Sequence, residues 1–150
     1  MANDREHLIA TESTYRETLV SVPTQDLPWL PWAMDGAYFK LLHADPSSGR
    51  FSLMIKMDPG VIAPMHRHVG AVEGYLLEGG FHYLDAPEIS FSAGAYLLEN
   101  DGAMHQPASP DGALMFAVFH GPVEGLRRNG ETAVVLDWQW HVNTWAAGVG

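Results

Sequence analysis

The chain has 150 residues, 47% of them apolar and 17% charged; that is enough apolar matter for one domain with a real core and too little length for two. Its formal net charge of −10, with Arg127–Arg128 as the one cluster of positive residues, argues against a nucleic-acid or anionic-membrane partner, because both need concentrated positive charge. The absence of cysteine excludes a disulfide framework and thiolate chemistry.

The chain opens on "MANDREHLIATEST", which is polar and has no apolar core of the kind a secretory signal needs. A cytoplasmic protein is the expectation. Residues 1–35 read as an N-terminal extension. Arg5–Thr18 is a candidate short helix, and "VPTQDLPWLPW" then forces extended or turn conformations around its prolines. Trp29 and Trp32 are expected to staple this segment onto the domain.

From Gly36 onward the pattern is that of strands. Ala37–His43 is the first, closed by "DPSSG". Phe51–Met57 alternates Phe51, Leu53, Ile55 and Met57, the period of a half-buried strand. Further strands are expected at Ile62–His68, Glu73–Glu78, Phe81–Leu84, Ile89–Phe91, Ala95–Glu99, Ala103–Pro107, Leu114–His120, Val123–Leu126 and Thr132–Trp138. "GG", "APE", "NDG", "SPDG", "GP" and "RRNGE" separate them as turns, with Asn129-Gly130 the cleanest hairpin signal. The longest clearly apolar run, Ala113–Phe119, is too short to span a bilayer. His141–Trp145 is a candidate helix in a tail of residues 141–150. This many short strands over residues 36–140 implies an all-β sandwich or barrel.

The chemistry concentrates in "APMHRHVGAVEGYLLEGG", Ala63–Gly80. Two histidines at i and i+2 on a strand share a face, so His66 and His68 aim at one point. His105, just after "ENDG", is the candidate third ligand. If Asn100–Gly102 closes a hairpin, Glu99 faces Ala103 and Leu97 faces His105, which puts Glu99 and His105 on one side. A lone strand histidine is more often a hydrogen-bonded polar residue than a ligand. An HxH pair with a nearby acid and a third histidine after a glycine turn is a different matter. Met65 and Arg67 fall on the opposite face, which makes Arg67 a surface or interface residue. His82 faces inward only if Gly79-Gly80 is a two-residue turn; His7, His43, His120 and His141 read as surface, turn-capping or packing residues.

The spacing is similar to that of a family. Gly60-x5-His66-x-His68-x4-Glu73-x6-Gly80 resembles the first cupin motif, and Gly94-x5-Asn100-x-Gly102-x2-His105 resembles the second, with Asn100 where proline is usual and Ser109 where asparagine is frequent. The resemblance implies a single-domain jelly-roll barrel, the double-stranded β-helix, with a divalent metal. "LPWLPW", "HRHVGAVEGYLLEG", "GAYLLEN" and "HGPVEG" further resemble the small cupin dioxygenases that cleave carbon–carbon bonds in acetylacetone and dihydroxyacetophenone. That likeness implies Fe(II) held by His66, His68 and His105, O2 and a small ketone as substrates, and a homo-oligomer, dimer or tetramer.

Two carboxylates are candidate catalytic residues. Glu73 is either a fourth ligand or a support for the ligands, since a one-residue change in how Val69–Val72 closes flips it between inside and outside. Glu99 matches a carboxylate behind the ligands in the resembling enzymes. Imidazole alone does not select the metal, so Zn, Ni and Mn stay open beside iron. The same scaffold also admits a non-redox isomerase or lyase, or a non-catalytic zinc-binding sensor module.

Overall fold

The computed structural model describes residues 20–150; the helix expected at Arg5–Thr18, and His7 with it, lie outside the described residues. After a single 3₁₀ turn at Thr24–Asp26 the chain enters β1 (Leu30–Pro31), β2 (Ala37–Ala44) and β3 (Phe51–Met57). Two very short strands follow, β4 (Val61–Ile62) and β5 (His66–His68), then the long β6 (Val72–Tyr83). The remaining strands are β7 (Ala86–Ser92), β8 (Tyr96–Glu99), β9 (Met104–His105), β10 (Pro107–Ser109), β11 (Ala113–Phe119), β12 (Val123–Leu126) and β13 (Thr132–Leu136). A helix, α1 (Trp138–Val149), ends the chain. All pairings are antiparallel and make two sheets. The larger runs β1-β2-β3-β11-β6-β10-β4, with β7 and β8 also on β6; the smaller runs β13-β12-β5-β9. The all-β jelly roll expected from the motifs is the fold observed.

Alternation builds the core. On β3 the buried residues are Phe51, Leu53, Ile55 and Met57, and on β11 they are Ala113, Met115, Ala117 and Phe119. The two strands pair in register, Phe119 against Phe51 and Ala113 against Met57, so the two apolar rows form one layer. The Phe51 and Phe119 rings stack at 4.9 Å. Phe39, Phe51, Leu53 and Leu76 are fully buried, each worth roughly 1.5–3 kcal/mol of transfer free energy.

Several sequence expectations are corrected. Gly79-Gly80 is not a turn. β6 runs through both residues, pairing with β8 and β11 before them and with β7 and β10 after. A Cβ on Gly79 would collide with the Gly112 carbonyl and one on Gly80 with the Phe91 carbonyl, so the glycines permit close backbone packing. "APE" is likewise strand, and the turn falls at Leu84-Asp85. Ile62–His68 splits into β4 and β5, which join different sheets, and Ala103–Pro107 divides between β9 and β10. The expected strand to Trp138 stops at Leu136, because Asp137 caps α1 by accepting from the Trp140 amide at 2.7 Å. The Asn129-Gly130 hairpin joins β12 to β13 as expected, with Gly130 at φ 86°.

Both ends of the described chain pack on the barrel. The Lys40 and Lys56 ammonium groups lie 4.6 and 4.9 Å from the Trp29 ring, and Lys40 Nζ donates to the Thr24 carbonyl. Trp32 meets Phe119 edge-on and donates from Nε1 to His141 Nε2 at 3.1 Å. His141 is fully buried, stacked on Phe51 at 4.3 Å. Among the described residues no helix is long and apolar enough to cross a membrane.

Candidate metal centre

Three imidazoles converge through two different rules of strand geometry. His66 and His68 share the inner face of β5 by alternation. His105 joins them because β9 pairs with β5 and sets His105 directly against His66. His105 Nε2 lies 3.0 Å from both His66 Nε2 and His68 Nε2. The turn after β8 fixes this arrangement. Gly102 and Ala103 take both backbone groups of His68, Gly102 N donating to its carbonyl and its amide donating to the Ala103 carbonyl. Asp101 Oδ1 accepts from the Gly70 amide at 2.7 Å, tying the same turn to the segment after β5.

The donor set fits a cation. Neutral His66 gives its Nδ1 proton to the Pro64 carbonyl at 2.9 Å, so its Nε2 presents a lone pair to the other two rings. Glu99 Oε2 also reaches His105 Nε2, at 2.7 Å, and Oε1 lies 3.7 Å from His68 Nε2. Lone pairs thus crowd one point, and a divalent ion supplies the positive charge that such a cluster lacks. Ligands about 2.1 Å from one ion and at right angles stand about 3.0 Å apart, the separation of two of the three nitrogen pairs. Burial lowers the pKa of His66, and it lowers that of His68 to about 4. Both rings are therefore in the free-base form that ligation requires.

The structure places the two carboxylates differently. Glu99, at the end of β8, is in the site. Burial pushes its carboxyl up, but the hydrogen bond with His105, the pull of the adjoining imidazoles and the Tyr83 hydroxyl outweigh this and hold it below its ordinary value. Glu73 is a correction. Val72 is buried, so alternation turns Glu73 outward, where it accepts from Tyr96 Oη at 2.7 Å and meets His120 Nε2 at 3.0 Å. It does not reach the three histidines. The hairpin assumed for Glu99 and His105 is also corrected, since β8 pairs with β6 and β9 with β5. The two residues meet because the turn carries the chain from one sheet to the other.

The centre lies on the wall of a cavity of about 240 Å³. Its other walls include Trp32, Met34, Phe81, Met115, Phe119 and Leu136, and no lysine or arginine lines it. Tyr83 is the residue beside the three histidines that sequence reasoning missed. Its ring stacks on His105 at 4.6 Å and its hydroxyl donates to Glu99 Oε2 at 2.8 Å. Burial and the Glu99 charge raise its pKa, which keeps it a donor. Strict alternation along β6 from Val72 would turn Tyr83 outward; the bulge at Leu77 shifts the parity and brings Tyr83 to the inner face with Phe81. His82 does not line the cavity, His43 and His120 are exposed, and Arg67 pairs with Glu124 outside at 2.8 Å.

The model of the ChrR cupin-like domain matches residues 17–124. The chain belongs to that family of cupins. Among solved structures, an RmlC-like cupin from Ralstonia eutropha superposes with a TM-score of 0.80 at 22% identity, covering 86% of this cupin and 85% of that chain. An acetylacetone dioxygenase from Acinetobacter johnsonii gives 0.76 at 22% identity, with 93% of each chain covered. The anti-sigma factor ChrR, in complex with SigE from Rhodobacter sphaeroides, gives 0.53 at 18% identity, over 63% of this cupin and 49% of that chain. At these identities the likeness is one of fold. No curated protein matches the sequence.

Proposed function

We propose that this cupin is an Fe(II)-dependent dioxygenase that cleaves a carbon–carbon bond in a small, uncharged β-diketone or hydroxyacetophenone-type ketone. The observation that carries the reading is a three-imidazole centre with a buried carboxylate on the wall of a small, otherwise apolar cavity. The cavity volume is below the ~300–1,000 Å³ of drug-sized pockets, and apart from the metal the three histidines would hold, no cationic side chain lines it to receive an anionic substrate.

His66, His68 and His105 would hold the metal. When bound, Fe(II) supplies Lewis acidity toward the ketone oxygens and redox chemistry toward O2. Glu99 is the group placed to take a proton. Its Oε2 accepts from the Tyr83 hydroxyl, which leaves Oε1 as the accepting atom for the acidic C–H or enol O–H of a ketone. Tyr83 holds that carboxylate in place and keeps it ionised. Trp32, Phe119 and Leu136 exclude water and orient the apolar body of the substrate. One O2 and one β-diketone give a carboxylic acid and a carbonyl product, both oxygen atoms being retained and no outside reductant consumed.

The family itself favours a second reading, a zinc-holding regulatory module with no catalysis. Anaerobic loading with Fe(II) or Zn(II), then O2-electrode assays over a panel of diketones and hydroxyacetophenones, separates the two. Stoichiometric O2 uptake and acid release with Fe(II) alone is the expected result. Turnover that persists without O2 indicates a non-redox lyase or isomerase. No turnover with tight zinc retention supports the regulatory module. The proposal includes a cytoplasmic, homo-oligomeric protein. Its tryptophans are half-buried, and Tyr75, Leu77, Tyr96, Leu98 and Phe116 are exposed together on the outer face of β6, β8 and β11.

A further inference from the structure

The smaller sheet carries two neighbouring cross-strand rows on its inner face. One reads Leu136, Val123, His68 and the other Val134, Gly125, His66, His105. Directly opposed residues share a face, so position 123 fills the space beside His68 with a valine, while position 125 puts nothing beside His66. Gly125 and Val134 both line the cavity.

The backbone does not call for this glycine. Gly125 is not among the glycines with positive φ, and glycine in a strand interior weakens it. Close backbone packing does not call for it either. A Cβ there would meet Val134 Cγ1 at 2.8 Å, and the nearest backbone atom within reach is the Val134 carbonyl oxygen at 3.9 Å. Val134 is 42% exposed, so its side chain has room to swing outward. What the glycine leaves is a space one strand spacing, about 4.8 Å, from His66, into which the Val134 side chain leans; it becomes an open slot on the cavity when that half-exposed valine swings outward.

We propose that Gly125 is a specificity-determining position: the slot beside His66 receives the apolar arm of a molecule bound at the metal, and Val134 is its outer wall. This rests on the reading of the three histidines as a metal centre and on the cavity as its substrate pocket. It does not depend on the reaction being a dioxygenation. Any ligand with a donor atom and an attached alkyl or aryl group meets the same slot.

The test uses Co(II)-loaded protein and two azole probes, imidazole and 4-phenylimidazole, titrated by the visible spectrum of the cobalt. Both bind an open position on the metal without turnover or O2. Gly125→Ala, Gly125→Val, Val134→Ala and the double variant Gly125→Ala/Val134→Ala are compared with the unaltered chain. All are expected to hold the same cobalt stoichiometry. Imidazole affinity stays within about threefold, while 4-phenylimidazole binding falls about tenfold or more in Gly125→Ala, as one excess methyl group in a pocket does. It falls further in Gly125→Val and recovers in the double variant. An unchanged ratio of the two affinities in both Gly125 variants overturns the proposal. So does a parallel loss of both probes, or loss of cobalt in Gly125→Ala with no rescue by Val134→Ala, since either makes Gly125 a packing residue. Protein that binds the azoles size-selectively yet consumes no O2 with any ketone defeats the dioxygenase reading and leaves the slot standing.

Discussion

His141 makes acid stability a direct test of how the two ends of the chain are joined. Its ring is fully buried, donates from Nδ1 to the Asp137 carbonyl at 2.7 Å and accepts at Nε2 from Trp32. Burial lowers its pKa from 6.5 to about 4, against the smaller opposing effect of Asp137. The unfolded chain therefore takes up this proton first, so the contribution is complete above about pH 6.5 and is lost as pH falls toward 4. At 1.36 kcal/mol per pH unit, a ring titrating at 6.5 unfolded and about 4 folded contributes at most ~3 kcal/mol, of which about 2 kcal/mol is gone at pH 5. For a chain of this size that is about 4–8 °C in Tm. The perturbation is His141→Phe, which keeps an aromatic ring against Phe39 and Phe51 and cannot titrate. The assay is urea denaturation followed by circular dichroism at pH 7.5 and pH 5.0, with chelator present so that His66 and His68 protonate alike in both proteins. The stability of the unaltered chain relative to His141→Phe should drop by about 2 kcal/mol between the two pH values. A gap constant to within about 0.5 kcal/mol would refute the reasoning. Because Trp32 also lines the cavity, the same protonation removes a hydrogen bond that holds a cavity wall.

Alanine at His66, His68 or His105 should each weaken metal retention by at least the ~10–100-fold that loss of a mere supporting partner costs, whereas Glu73→Gln should retain full metal; elemental analysis after gel filtration reads both. Glu99→Gln should keep its metal and lose about 10²–10⁴ in kcat toward any accepted ketone, the usual loss for a general base. Tyr83→Phe removes a hydrogen bond that opposes the effect of burial on Glu99, so the carboxyl rises. The acid limb of the pH–rate profile should then move to higher pH, with metal content unchanged.

The histidines were legible because alternation along a strand is a local rule. His66 and His68 share a face whatever the rest of the chain does, and the glycine turn before His105 limited where the third ring comes from. Glu73 was not legible, because its side depends on how Val69–Ala71 leaves β5, and a strand parity error reverses it. Gly79-Gly80 misled for a physical reason: glycine marks both tight turns and close backbone approach, and only the neighbours at Gly112 and Phe91 decide between them. Tyr83 was hidden for another reason: a bulge at Leu77 reverses the parity of β6, so alternation counted from Val72 places Tyr83 and Phe81 on the wrong face. The pairing of Glu99 with His105 was reached by a wrong route. A local hairpin was assumed, and the true cause is a crossing between sheets that no local pattern encodes.

That crossing explains how the site divides its labour. The three imidazoles belong to the smaller sheet, on β5 and β9, while Glu99 and Tyr83 belong to the larger, on β8 and β6. The ligands are held to one another by the backbone ladder of β5 with β9. The carboxylate is held across the gap between sheets, by the Asn100–Gly102 turn and by Tyr83, whose ring rests on His105 while its hydroxyl restrains Glu99. A change in the spacing of the sheets would therefore move the proton acceptor relative to the ligands without disturbing the ligands themselves. On the proposed reading metal binding and proton transfer should therefore separate by mutation, and a protein that keeps the first while varying the second needs to alter only β6 and β8.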